Sequence, residues 1–183
     1  MIEIRIHGRG GQGVVTAAEL IAIAAFYEGK ESQAFPNFGV ERRGAPIESY
    51  ARISDQPIKL RSQIYEPDFI IVQDDTLFSI IDLFKGIKKD TKIIINTNKK
   101  LSLKLDAKKE NILFIPATKI ALEVLGKPII NTVMLGAFAK FSELIKLTSI
   151  EKALKSKFSG EILEKNIKAA KQGSIFGHPK VES

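Results

Sequence analysis

Six residues near the N-terminus, Gly8-Arg9-Gly10-Gly11-Gln12-Gly13, carry the spacing G-x-G-x-x-G. Glycines at such intervals let a ligand approach backbone N–H groups closely. Where the loop opens a helix, those amides and the helix dipole favour an anion. This chemistry admits a pyrophosphate, another phosphate or a partner's carboxylate, and the same glycines also serve a tight strand-to-helix turn that binds nothing. A nicotinamide or flavin site asks for more: a second apolar strand ending in an acid about 20 residues on. The stretch "GKESQAFPNFG" places Glu31 near that distance, but at the start of a barely apolar run. Arg9, Arg42 and Arg43 stand in glycine-containing loops, where a planar guanidinium suits phosphate or carboxylate. For Arg42 and Arg43 the competing role is a local ion pair with Glu41 or Glu48.

Other side chains have a structural and a functional reading side by side. Phe35, Pro36 and Phe38 form either a docking ridge at an interface or a local core under their segment. Asp74 and Asp75 follow an apolar run, where an α/β fold collects ligands, yet either also suits a helix cap. Asn131 and Thr132 read first as a capping pair and second as ligand contacts. Gln12 donates to a ligand or bridges its turn. His7 ends the first strand, and His178 lies in the tail "GSIFGHPKVES".

The elements that must hold these residues follow from periodicity. Ile2 to His7 alternates as a strand, and Val14 to Tyr27 has helical spacing stopped by Gly29. Residues 31–46, with two Pro, two Gly and two Phe, read as irregular. Ile47 to Ile53 alternates, with Ile47, Ser49, Ala51 and Ile53 on one face and Glu48, Tyr50 and Arg52 on the other. Ile58 to Ile64 is its expected hairpin partner. Phe69 to Gln73, Lys92 to Asn96 and Ile112 to Ile115 read as buried parallel strands. Thr76 to Phe84, Ala117 to Leu125 and Val133 to Ile145 read as helices, with further helix to about residue 170. The expected fold is α/β: a three-layer, Rossmann-like, mostly parallel sheet with an inserted strand pair and a helical C-terminus, one domain over 1–183.

Composition removes several function classes. The chain has 183 residues, 44% hydrophobic and 27% charged, as ordinary globular proteins do. It has no Cys, so it offers no disulfide and no thiolate for an iron–sulfur cluster. Two His make a self-contained zinc site improbable. No apolar stretch reaches bilayer length and no signal-peptide pattern opens the chain, so the expected location is the cytoplasm, without membrane. The net charge of +7 brings no aromatic interleaving or nucleic-acid motif, so no nucleic-acid partner is expected.

Three segments together resemble one family. "GRGGQGVVTAAELIA" at 8–22, "QAFPNFGVERRGAPIESYARIS" at 33–54 and "LGKPIINTVMLGAFAK" at 125–140 are similar to the gamma subunit of 2-oxoacid:ferredoxin oxidoreductases, most of all the pyruvate type. "PDFIIVQDDTL" at 67–77 and the strand ending in Asn96-Thr97 match as well. In that family the module is either a separate polypeptide or an internal domain of a longer chain. The resemblance implies a complex that oxidatively decarboxylates a 2-oxoacid on thiamine diphosphate. It passes electrons through [4Fe-4S] clusters to ferredoxin and transfers the acyl group to coenzyme A. Thiamine diphosphate, magnesium and clusters then belong to sister subunits of alpha, beta and delta type. This chain is left without catalytic residues of its own, assisting assembly and contacting coenzyme A through Gly8–Gly13, Arg42 and Arg43. A branched-chain 2-oxoacid enzyme and, from another class, a free-standing dinucleotide-binding module are the alternatives.

Overall fold

In the computed structural model, which describes residues 1–37, 43–99, 101, 103 and 105–177, alternation in the sequence becomes a single mixed sheet. Its six strands are β1 (Ile2–Arg9), β2 (Glu31–Pro36), β3 (Pro46–Ser54), β4 (Phe69–Val72), β5 (Lys92–Asn96) and β6 (Ile112–Ile115). They lie in the order β2-β3-β1-β4-β5-β6. The pairings β1–β4, β4–β5 and β5–β6 are parallel, while β3 runs antiparallel to both β1 and β2. The helices are α1 (Val14–Tyr27), α2 (Ala117–Leu125), α3 (Asn131–Ser142), α4 (Leu147–Lys157) and α5 (Gly160–Ile175).

The inserted strand pair exists, but with a different partner. Strand β3 is hydrogen-bonded on one side to β1 and on the other to β2, so the segment 58–64 has no edge left to join. It crosses the sheet as an irregular strap whose carbonyls at Leu60, Ser62 and Ile64 accept from the Arg52 and Arg5 guanidiniums. The stretch read as irregular therefore begins with a strand, Glu31–Pro36. Pro36 is tolerated there because β2 is an edge strand, where a missing N–H costs no ladder bond. The expected helix from Thr76 to Phe84 is instead a short 3₁₀ turn, Asp75–Ser79. Leu77 and Leu83 both enter the core, although six residues would set them about 120° apart on an α-helix. The C-terminal helical stretch is divided into α3, α4 and α5, with Glu143 left-handed at φ 58° closing the first.

The two sheet faces differ in chemistry. Ile4 and Ile6 of β1, Ala51 and Ile53 of β3, and Ile71 of β4 join α1 to α5 in one large apolar core. On the other face Ile70, Val72, Ile93 and Ile95 form a smaller core under Leu77 and Leu83, a thin third layer. The rest of that face is buried and polar. Arg52, fully enclosed, pairs with Glu3 at 2.8 Å, and Tyr50 donates to Glu48 at 2.5 Å. Arg5 donates to the carbonyls of Leu83 and Lys85 and, through Nε, to His7 Nε2 at 3.1 Å. Each guanidinium is satisfied by the strap or the 80–85 segment, as a buried charge requires.

Two predictions follow from this packing. Helices α3 and α5 touch through glycine: a Cβ on Gly136 would run into the Ala170 carbonyl, and one on Gly173 into that of Val133. Gly136→Ala is expected to cost about 1–3 kcal/mol by overpacking. An unchanged Tm would show that the helices separate freely. The second concerns His7, 3% exposed. Burial first, then the Arg5 charge, lowers its pKa from 6.5 to about 4 against the opposing pull of Glu48. Because the folded protein holds the neutral ring, stability is complete above pH 6.5 and is lost as pH falls toward 4. The loss from this group is about 3 kcal/mol. His7→Gln, which keeps an acceptor for Arg5, should flatten denaturant-derived stability over that window relative to the unsubstituted chain. Parallel curves for the two proteins would contradict the assignment.

Candidate functional site

The glycine motif lies where the parallel strands end. Gly8 and Arg9 still belong to β1, opposite Ile47 and Pro46 of β3. The turn itself is therefore narrower than the motif, Gly10 to Gly13. Three of its donors are used internally: Arg9 N–H to Gln12 Oε1 at 2.7 Å, Gly10 N–H to the Ala45 carbonyl at 2.9 Å, and Gln12 N–H to the Arg9 carbonyl at 3.0 Å. Gln12 thus bridges its own turn, and its Nε2 donates to Asp74. Among the described residues, the amides of Gly11, Gly13, Val14, Val15 and Thr16 have no protein acceptor. Helix α1 has no side-chain cap and no acid in its first turn, so nothing on the helix competes for its positive end.

Gly13 is required at the head of this helix. Its φ is 73°, and a Cβ there would lie 2.6 Å from Asn131 Nδ2. Asn131 is the first residue of α3, and its Oδ1 accepts from Thr132 N–H at 2.9 Å. Thr132 in turn donates to Asn166 of α5 at 2.7 Å. The pair read as caps therefore anchors α3 beneath the glycine turn, and Ile130 occupies the cap position.

Two grooves flank the turn. One, of about 510 Å³, is lined by Gly11, Gly13, Val15, Thr16, Arg43 and Ile47. The other, of about 360 Å³, shares Gly10, Gly11 and Arg43 and continues over Gln73, Asp74 and Asp75 just after β4 and Asn96 at the end of β5. This is where the connections from β1 and β4 leave in opposite directions, the point at which open α/β sheets bind ligands.

The candidate residues divide on this geometry. Arg43 is exposed and lines both grooves. Arg9 is held by Asp74 at 3.2 Å, by Thr76 Oγ1 at 2.7 Å and by the Gly44 carbonyl at 2.9 Å, so it clamps the turn to the β4 end. Burial alone would raise the Asp74 carboxyl, but hydrogen bonds from Thr76 and Gln12 and the Arg9 charge hold it below the usual range. Asp74 also caps the 3₁₀ turn. Phe35 packs against Tyr50 with the rings tilted by 41° and their centroids 5.0 Å apart, and lies under the Arg52 guanidinium. Pro36 ends β2. Arg42, Phe38 and His178 lie outside the described residues. Glu48, weighed as a partner for the arginines, is engaged by Tyr50 and Asn37 and lies 3.6 Å from His7. Sequence reasoning passed over Gln73, although its place just after an apolar parallel strand marks it as a ligand-end residue.

The topology also speaks to the dinucleotide alternative. In that motif the ribose-binding acid ends a parallel strand next to the first one. Here β1 has an antiparallel neighbour, β3, whose start lies beside the turn, and a parallel neighbour, β4, whose following Asp74 is already bonded to Gln12, Thr76 and Arg9. Among the described residues no three His, Asp or Glu side chains converge as metal ligands, and no helix is long and apolar enough to cross a membrane.

Comparison with known proteins completes the picture. The family model described as pyruvate ferredoxin/flavodoxin oxidoreductase matches residues 3–175. The common subunit gamma of the pyruvate/ketoisovalerate oxidoreductases of Pyrococcus abyssi is 53% identical, over 94% of this chain and 95% of its own. Pyruvate synthase subunit PorC of Methanocaldococcus jannaschii is 55% identical over 93% of each. The crystal structure of pyruvate oxidoreductase subunit PORC (EC 1.2.7.1) from Thermotoga maritima superposes with a TM-score of 0.83 at 32% identity, covering 96% of both chains. A 2-oxoglutarate:ferredoxin oxidoreductase from Magnetococcus marinus has the same fold within a longer chain: TM-score 0.77, 22% identity, 96% of this chain but 31% of that one. With its glycine turn and inserted strand pair at the end of a parallel sheet, the chain belongs to the pyruvate ferredoxin/flavodoxin oxidoreductase family, as a member of its gamma-subunit type.

Proposed function

We propose that this chain, as one domain over 1–183, is the gamma subunit of a cytoplasmic pyruvate:ferredoxin oxidoreductase and is inactive alone. In the assembled enzyme it holds coenzyme A by its phosphates. The observation that carries the coenzyme role is the set of amides of Gly11 and of Gly13 to Thr16, without an acceptor among the described residues, at the positive end of α1 on a groove that Arg43 also lines. Thiamine diphosphate, magnesium and [4Fe-4S] clusters belong to alpha-, beta- and delta-type sister subunits, and ferredoxin accepts the electrons. This chain has no thiolate to bind a cluster. The Magnetococcus relative was solved with coenzyme A bound, which supports that ligand class for the fold. The relatives whose name covers pyruvate and ketoisovalerate together support a gamma subunit that leaves the choice of 2-oxoacid to other chains. Phe35 and Pro36 of β2, together with Phe38, are the proposed contact with a sister subunit, and a partner carboxylate is the second candidate for the α1 amides.

In the intact complex, Arg43→Ala is expected to raise the KM for coenzyme A about tenfold or more, the loss of one charge-assisted contact of about 1.5–3 kcal/mol. Arg42→Ala should act in the same direction. Arg9→Ala should raise KM and also lower Tm, because Arg9 ties the turn to Asp74 and Thr76. Pyruvate-dependent cluster reduction without coenzyme A should stay nearly unchanged in Arg43→Ala, since decarboxylation precedes acyl transfer. Unchanged coenzyme A kinetics with loosened subunit association would instead assign the α1 amides to a partner carboxylate.

A further inference from the structure

The groove on the β4 side of the glycine turn contains a side chain that the phosphate site does not explain. Gln73 is 1% exposed, and neither its Oε1 nor its Nε2 has a partner among the described residues. Its backbone is fully engaged: the N–H donates to the His7 carbonyl at 2.8 Å, and its own carbonyl accepts from Asn96 Nδ2 at 2.9 Å. The residue is therefore held rigidly with an unpaired amide at the ligand end of β4, in the lining of the 360 Å³ groove.

The neighbouring polar groups are already committed. Asn96 exchanges two hydrogen bonds with Thr118, donating from Nδ2 to its hydroxyl and accepting its N–H at Oδ1. Asp74 is bound to Gln12, Thr76 and Arg9, and Asp75 accepts from the Thr97 hydroxyl at 2.7 Å. Asp74 and Asp75 are ion-paired with Arg9 and Lys99, so the group left without a partner in this groove is the uncharged Gln73 amide, which suits a neutral ligand group. Pro128 and Ile130 supply apolar wall, which suits the face of a flat ring.

A buried primary amide presents one donor and one acceptor side by side in a plane. A trans secondary amide turns its N–H and C=O to opposite sides and cannot meet both, and a hydroxyl meets them only by bending both bonds to a single oxygen. A nucleobase edge meets both at once, as when Gln pairs with N6–H and N7 of adenine. We propose that Gln73 forms a recognition point for an adenine-class base, belonging to the same coenzyme whose phosphates lie on the α1 amides. This rests on the coenzyme A reading above. The two grooves share Gly10, Gly11 and Arg43, so one molecule carrying both base and phosphate spans them.

The test uses the assembled oxidoreductase with Gln73→Met, of equal length, and Gln73→Leu, each alongside Arg43→Ala. Acyl acceptors are coenzyme A and 4′-phosphopantetheine, which lacks the adenosine, with adenosine 3′,5′-bisphosphate as a competing inhibitor. Both Gln73 variants are expected to raise the KM for coenzyme A about tenfold and to weaken the inhibitor by the same factor. The KM for 4′-phosphopantetheine should move far less, a split that a merely structural glutamine would not produce. The base reading is overturned if Arg43→Ala raises the coenzyme A KM while the Gln73 variants leave it alone or raise both acceptors equally. That result leaves coenzyme A at the turn. Unchanged coenzyme A kinetics in all three variants overturns both readings.

Discussion

Gly10 donates its N–H to the Ala45 carbonyl and accepts at its own carbonyl from Gly44 N–H, at 2.9 and 3.0 Å. These two bonds extend the β1–β3 ladder beyond Arg9 and lock the glycine turn to the connection that feeds β3. Once β3 lies against β1, β2 is pushed to the sheet edge, and the acid that does reach the turn, Asp74 after the parallel strand β4, is bonded to Gln12, Thr76 and Arg9. The remaining amides lie on the groove that Arg43 also lines. A motif that matches a dinucleotide fingerprint letter for letter thus sits in a sheet whose strand order, β2-β3-β1-β4-β5-β6, places an antiparallel strand beside it.

The polar half of the opposite sheet face serves the same arrangement. Arg5 and Arg52 replace an apolar cover with strap carbonyls, Glu3 and Gln33, so an irregular segment can close the sheet without a helix. Unpaired, either guanidinium would carry a heavy desolvation cost. Paired, they hold β1 and β3 and hence the base of the turn. Burial and the Glu48 hydrogen bond push the Tyr50 phenol well above its usual range, so it remains a neutral donor in this network. His7 remains a neutral acceptor for Arg5 at neutral pH.

Local periodicity made the strands β1, β3, β4, β5 and β6 and the helices α1 and α2 legible, because each meets an apolar core on one face. The hairpin partner was not legible. Glu31–Pro36 has little apolar alternation, since an edge strand over a polar face needs none, whereas Ile58 to Ile64 alternates yet fully buries only Ile64. The glycine turn could be read as a strand-to-helix connection, but not that Arg9 would be spent on Asp74 and Thr76, because that pairing joins positions 65 residues and more apart. Gln73 gave no signal beyond following Val72 in a buried strand. Its unpaired amide exists only once the sheet order is known.

Amide hydrogen exchange over residues 10–17 of the assembled enzyme, with and without coenzyme A, reads the turn most directly. Saturating coenzyme A should slow exchange of Gly11 and of Gly13 to Thr16, the amides without a protein acceptor, and leave Gly10 unaffected. Protection of those amides that is complete on subunit assembly, with no further change when coenzyme A is added, would contradict a coenzyme site and place a partner's acidic group on α1.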